Sequence, residues 1–183
     1  MSDRGVSTTY VALLRGINVG KAKPVSMAAL RLALEHAGFE DVRTLLRSGN
    51  VVLRGRGGTD AVAREVQRVI ERDLKTTSAV VVRTSEELTH AIDANPFPDK
   101  ADDGSRLHVM FVGDALPTGE RHAIETAEFG DDRVAVQERE IYAWYPNGMS
   151  GSDTALRLAK LVKTLNTDRN WNTVLRLQKA GQE

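Results

Sequence analysis

Three short segments gather the residue types that recognise anions. The first is Arg15-Gly16-Ile17-Asn18-Val19-Gly20-Lys21-Ala22-Lys23-Pro24, placed between an apolar run and a helical pattern. Glycines at 16 and 20 free the backbone, and Arg15, Lys21 and Lys23 bring positive charge. Free N–H groups before a helix favour an anion, so this segment reads as an anion or phosphate cradle. It reads equally as a long connection with glycine turns and solvated lysines. The Gly-Lys-Ser/Thr ending of a Walker loop is absent, and Gly16 with Gly20 does not make the dinucleotide pattern.

The second segment, Arg47-Ser48-Gly49-Asn50, joins two apolar runs. Its plain reading is a tight turn in which Gly and Asn take positive φ. In a ferredoxin-like order its tip is expected at the end of the sheet opposite the exits of strands one and three. If Arg47 and Asn50 sit within the strands instead, they reach toward a ligand. The third segment, Arg169-Asn170-Trp171-Asn172-Thr173, puts a guanidinium, two amides and an indole just before a helix. Asn170 or Asn172 is placed to cap that helix. Trp171 either stacks on a base or sugar or fills the core near Leu165.

Other chemistries find little support. The chain has no Cys, which removes disulfides, thiol nucleophiles and Cys-held metal clusters. Its histidines, His36, His90, His108 and His122, show no metal-ligand spacing. There is no Gly-x-Ser-x-Gly elbow. The carboxylate pairs Glu86-Glu87, Asp102-Asp103 and Asp131-Asp132 fall on a helix first turn and two solvated loops. With 25 basic and 25 acidic residues the net charge is zero, whereas a nucleic-acid binder usually carries a basic excess. The polar start, Met1 to Thr9, shows no secretory signal, and no apolar run reaches the roughly 20 residues of a membrane span.

The elements that must hold these segments can be read from periodicity. Tyr10 to Leu14 is a buried strand. Ser26 caps a helix carrying Met27, Leu30 and Leu34, and Gly38 closes it. Val42–Leu46 and Val51–Leu53 are strands. Thr59 or Asp60 opens a helix with Val62, Val66, Val69, Ile70 and Leu74 on one face. Ala79–Val82 is a strand, and Thr84 with Glu87 forms a capping box for the next helix. This is the β-α-β-β-α-β order of a ferredoxin-like unit. After Asn95-Pro96-Phe97-Pro98 the order nearly repeats: strand 107–112, helix 118–127, hairpin 134–145, helix 153–165. The last strand is expected to be missing, a short helix at about 173–180 taking its place. RNA-recognition modules share this order, but they stack bases on central-strand aromatics. Here those strands offer only Tyr10.

Tyr-Val-Ala-Leu-Leu-Arg-Gly-Ile-Asn-Val-Gly at 10–20, Arg-Ser-Gly-Asn-Val-Val at 47–52, Asn-Pro-Phe at 95–97 and Arg-Asn-Trp-Asn-Thr at 169–173 resemble the bacterial domain-of-unknown-function family 1697. The likeness runs from about residue 8 to 180. It implies two small α+β subdomains and brings no activity, substrate or cofactor, so no catalytic residue carries over. The family's motif positions fall on Arg15, Gly16, Asn18 and Gly20, on Ser48, Gly49 and Asn50, and on Arg169, Asn170 and Trp171. Where the family shows Ser-Lys-Leu, this chain has Ser152-Asp153-Thr154-Ala155-Leu156, without the lysine. Pro24 stands where a basic residue is common. Both departures weaken a phosphate site.

The expectation is therefore an α+β chain of two small subdomains. The first, 1–94, is ferredoxin-like. A linker spans 95–105, and 106–183 is a related β-α-β-β-α arrangement with a C-terminal helix. The expected function is a cytoplasmic protein binding a small anionic or nucleotide-like ligand in a polar site between the subdomains. Arg15, Gly16, Asn18, Gly20, Lys23, Arg47, Ser48, Asn50, Arg169 and Asn170 are its candidates, with Trp171 as a wall. No nucleophile or general base can be named, so enzymatic activity is left open. No cofactor, metal or membrane partner is called for. One alternative is nucleic-acid binding through the N-terminal half, where residues 15–56 hold 8 Lys/Arg against 3 Asp/Glu. The other is a structural or self-associating protein whose motifs only fix turns.

Overall fold

The structure, a computed structural model, describes residues 6–18 and 24–183. The candidates Gly20 and Lys23, with their neighbours Val19 and Lys21, lie outside the described residues. The chain divides into two compact units, Met1–Thr89 with Leu177–Glu183, and His90–Arg176. The divisions fall within helices, so residues 95–105 belong to the second unit and the chain's last turns to the first.

The first unit runs β1 (Thr8–Arg15), α1 (Met27–His36), β2 (Glu40–Leu45), β3 (Asn50–Gly55), α2 (Thr59–Leu74), β4 (Ala79–Thr84), and into α3 (Ser85–Asp93). Its sheet is antiparallel in the order β2-β3-β1-β4. Tyr10, Ala12 and Leu14 of β1 join Leu30 and Leu34 of α1 and Val66 and Ile70 of α2 in one core. Each of the Leu, Val and Ile side chains among them contributes about 1.5–3 kcal/mol on burial. Val11, Leu13, Val52 and Val81, on the other face, are buried as well. That is why these strands read as continuous apolar runs rather than alternating ones.

The local signals are met in detail. Ser26 Oγ accepts from Ala29 N at 3.3 Å. Thr84 and Glu87 exchange bonds at 2.9 and 3.0 Å. Gly38 takes φ 97° just past α1. The N-cap of α2, however, is Gly58, with no side-chain cap bond, in place of Thr59 or Asp60.

The second unit runs through a 3-10 turn (Pro98–Asp103), β5 (Leu107–Val112), α4 (Thr118–Glu125), β6 (Arg133–Val136), β7 (Glu140–Trp144), α5 (Asp153–Leu161), β8 (Asn166–Asn170) and into α6 (Trp171–Gln182). Its sheet order is β6-β7-β5-β8. The expectation that the last strand is missing is corrected. The helix expected to reach 165 stops at Leu161, where Val162 turns extended. Asn166–Asn170 then pairs antiparallel with β5. The run Asn-Thr-Asp-Arg-Asn has no apolar alternation because it is an edge strand whose inward positions are Thr167 and Arg169. The structure is thus a pair of ferredoxin-like α+β units of the same strand order.

Candidate functional site

The register of the first sheet decides where the first two segments lie. Leu13 of β1 pairs with Asn50 of β3, and Leu14 N donates to Gly49 O at 2.8 Å. The exit of β1 and the tip of the β2–β3 hairpin are therefore at the same end of the sheet. The expectation that the tip lies at the opposite end from both strand exits is corrected for strand one, because antiparallel neighbours bring the end of one beside the start of the other.

Asn18 locks the two segments together. It sits at φ 56°, a conformation asparagine tolerates better than most residues. Its Nδ2 donates to Arg47 O at 3.0 Å and to Val25 O at 3.1 Å, and its Oδ1 accepts from Val25 N at 2.6 Å. One carboxamide thus ties Asn18 both to Val25 and to the hairpin. Gly49 makes the close approach possible. It takes φ 76°, and a Cβ there would stand 2.5 Å from Ile17 Cγ2 and 2.7 Å from Leu14 Cβ.

Asn50 lies in β3, not in the turn. Leu46, at φ 61°, takes the left-handed position expected of it. The Asn50 side chain is fully buried and donates to Leu45 O at 3.1 Å and Ser48 Oγ at 2.9 Å. Around these two internal amides, Arg15, Gly16, Arg47 and Ser48 are exposed. Neither the Arg15 nor the Arg47 side chain has an ion-pair partner among the described residues. Arg15 O accepts from Ser78 Oγ at 3.0 Å, which fixes the backbone from which its side chain leaves.

The third segment belongs to the second unit, apart from the first two, which share the first unit. Two of its side chains bond within their own strand and to the start of the helix. Arg169 is buried and donates through Nη1 to Thr167 Oγ1 at 2.8 Å and Asp168 O at 2.6 Å. Burial pulls its guanidinium down to about 10, against the opposing pull of the Asp168 charge. Asn170 Oδ1 accepts from Thr173 N at 3.0 Å and so caps α6. Trp171, the first residue of that helix, is buried.

One arrangement escaped the sequence reading. His108 Nδ1 lies 2.6 Å from Asp168 Oδ1, its Nε2 lies 3.3 Å from Ser105 O, and its ring meets Tyr145 edge-on at 5.4 Å. Burial lowers the affinity of this imidazole for its proton, but the Asp168 bond and charge and the Ser105 carbonyl outweigh it, holding the pKa above the usual value. Burial, with the Asp168 and Asp132 charges, pushes the Tyr145 phenol up. Both imidazole nitrogens face acceptors, so neither is left to serve a substrate. The pair is a staple across β5 and β8. It was hidden because 60 residues separate its members and Asp168 sits in a run without strand periodicity. Among the described residues no group of three or more His, Asp or Glu is placed to hold a metal.

The geometry of the first unit thus offers two unneutralised guanidiniums at one end of a sheet, supported by two asparagines that act as struts. Guanidiniums suit phosphate or carboxylate oxygens. Comparison with known proteins adds the fold and the family. A solved structure, a conserved bacterial protein, SP0830, from Streptococcus pneumoniae, superposes with a TM-score of 0.79 at 22% identity, covering 96% of this chain and 99% of that one. No curated protein matches. The family described as "Protein of unknown function (DUF1697)" matches residues 7–142, which takes in the segments at 10–20, 47–52 and 95–97 and stops short of 169–173. The chain belongs to the DUF1697 family.

Proposed function

We propose that this protein binds a small anionic or nucleotide-like ligand at the end of the first unit where β1 leaves the sheet. Arg15 and Arg47 contact the anion, Gly16 and Ser48 give it access to backbone and hydroxyl donors, and Asn18 and Asn50 hold the loop and hairpin in place. The observation that carries this reading is the Asn18 carboxamide. It fastens the β1 exit to the hairpin and so sets two exposed, unpaired arginines on one end of a sheet. Two solvated charges without partners do nothing for stability, and a bound anion gives them a role.

The test is a thermal-shift titration with nucleotides, sugar phosphates, inorganic phosphate and small carboxylates, on the wild type and on Arg15→Ala with Arg47→Ala. A ligand of the native state raises the melting temperature by mass action. A rise with one ligand class that the double variant loses is the expected result. A rise of equal size in the double variant would place the ligand elsewhere. A short oligonucleotide belongs in the same panel, since a nucleic-acid partner would use the same cations and its binding would fall steeply with salt.

A second reading rests on where the amides go. Asn18, Asn50 and Asn170 spend their side chains on backbone groups, or on a hydroxyl next to them. Turn-fixing motifs in a structural or self-associating protein would look the same. Silence across the panel, with the double variant folded and unchanged in oligomeric state, favours that reading.

A further inference from the structure

We propose that the first unit carries a second site, at the opposite end of its sheet from Arg15, for a free α-amino acid with an apolar side chain. The register places Thr8 opposite Gly55 at that end, with Glu40 opening β2 beside it. There the chain encloses an open cavity of about 370 Å³, within the size range of small-molecule sites. Its apolar side is Phe39, which packs on the core and is half-buried. The turn that presents this ring is built for it. Gly38 takes φ 97°, Phe39 N donates to Leu34 O at 3.2 Å, and a Cβ on Gly55 would stand 3.0 Å from the ring.

The charges lining the cavity select the ligand. Glu65 and Arg68 pair with each other on α2. Glu40 and Arg56 also line the cavity, and neither makes an ion pair among the described residues. One unpaired carboxylate and one unpaired guanidinium leave the lining neutral in sum but polarised. A ligand of either single charge would leave one of them unmatched. A zwitterion with an ammonium for Glu40, a carboxylate for the fork of Arg56 and an apolar body for Phe39 matches all three. Ser7 adds an independent mark. It lines the same cavity, and its hydroxyl oxygen is covered yet has no hydrogen-bond partner. A covered polar group without a partner is destabilising, and rotation of this short side chain toward a bound polar group would relieve it.

The experiment uses the full chain and amide NMR shifts, with L-phenylalanine as probe and phenethylamine and 3-phenylpropionate as its two half-charged analogues. L-phenylalanine is expected to move the signals of residues 37–40, 55–56 and 61–65 in a saturable way, and each analogue is expected to bind about tenfold more weakly. Arg56→Gln is expected to remove the preference for L-phenylalanine over phenethylamine, and Glu40→Gln the preference over 3-phenylpropionate. Both residues are exposed, so the variants keep the fold, which the unperturbed spectrum checks. Arg15→Ala should leave this binding untouched, so the fate of the anion site does not decide it. Signals that do not move at millimolar probe overturn the proposal. So does equal binding of all three compounds, which would make the cavity a nonselective apolar cleft.

Discussion

The two units share a strand order but use the same end of the sheet differently. Leu14 N bonds Gly49 O in the first, and Val112 N bonds Arg139 O in the second, at 2.8 and 2.9 Å, so the strand exits and hairpins correspond. In the first unit the residues there, 15–18 and 46–50, include Arg15 and Arg47 and no acid. In the second, Asp114 and Glu138 stand among the cations Arg139 and Lys163. Glu120 is consumed as a cap, accepting from Lys163 N, Thr164 N and Thr164 Oγ1 through Oε2. Where the first unit buries the neutral Asn50 at the start of its third strand, the second has Glu140, whose carboxylate takes Arg139 N at 3.3 Å. One scaffold thus carries a same-sign patch in one copy and internally compensated charge in the other. The strand order sets the backbone, and the loop residues decide whether any charge is left over for a partner.

The sharpest way to break this comparison is at the hairpins. Gly49→Val puts a branched side chain at φ 76° and drives it into Ile17 and Leu14. Strain and overpacking together are expected to cost about 3 kcal/mol or more. Glu138→Ala, at the corresponding tip, should stay within about 0.5 kcal/mol. Urea unfolding of the two variants reads the difference. Equal losses would mean that the first hairpin is not specially seated against the β1 exit.

Next in size is Asn18→Ala. It removes three hydrogen bonds at one carboxamide and leaves alanine at φ 56°, an expected loss of about 2–4 kcal/mol. Asn18→Gly keeps the backbone conformation and isolates the hydrogen-bond part. If Asn18→Ala is as stable as the wild type, the loop and hairpin do not depend on each other, and the patch loses its scaffold.

The same residues show how far the sequence speaks. Ser26, Gly38 and the Thr84–Glu87 box announce their helices because capping is a local matter, decided within four residues. The apolar runs announce strands for the same reason. Register is not local. Nothing in Arg15–Asn18 or Arg47–Asn50 says that Leu13 pairs with Asn50, and so the two segments were expected at different ends. β8 was missed because its inward positions are Thr167 and Arg169, so this edge strand carries no apolar alternation. The correspondence of the units is faint for a similar reason. It survives where geometry demands it. Arg83 and Arg169 each donate to the carbonyl of the residue before them, at 3.1 and 2.6 Å, and the residue after each caps the following helix.

The His108–Asp168 staple belongs to the second unit alone and gives that unit its own pH dependence. Both ring nitrogens face acceptors, so the doubly protonated ring satisfies both. Its folded pKa is raised above the ordinary imidazole value of about 6.5. Its stabilisation is therefore complete below about pH 6.5 and is lost as pH rises through the folded pKa. His108→Gln should flatten that part of the stability profile and cost about 1–3 kcal/mol at pH 6, the range of a hydrogen bond to a charged group. Unfolding at a series of pH values checks it. A slope left intact in His108→Gln would assign the dependence to another group.

The smallest effect expected is the one that bears most on function. Arg15→Ala and Arg47→Ala remove exposed charges that have no ion-pair partner, so each should change stability by no more than about 0.5 kcal/mol. A slight gain is physically reasonable, since the two cations lie at the same sheet end and like charges repel. If they bind an anion, the same substitutions must abolish the ligand-induced thermal shift while leaving the unliganded melting temperature in place. Residues that serve folding, such as Gly49 and Asn18, must do the reverse and lower the unliganded value. A drop in unliganded stability for Arg15→Ala comparable to that of Asn18→Ala would show that the arginine is held by the protein itself rather than left for a ligand.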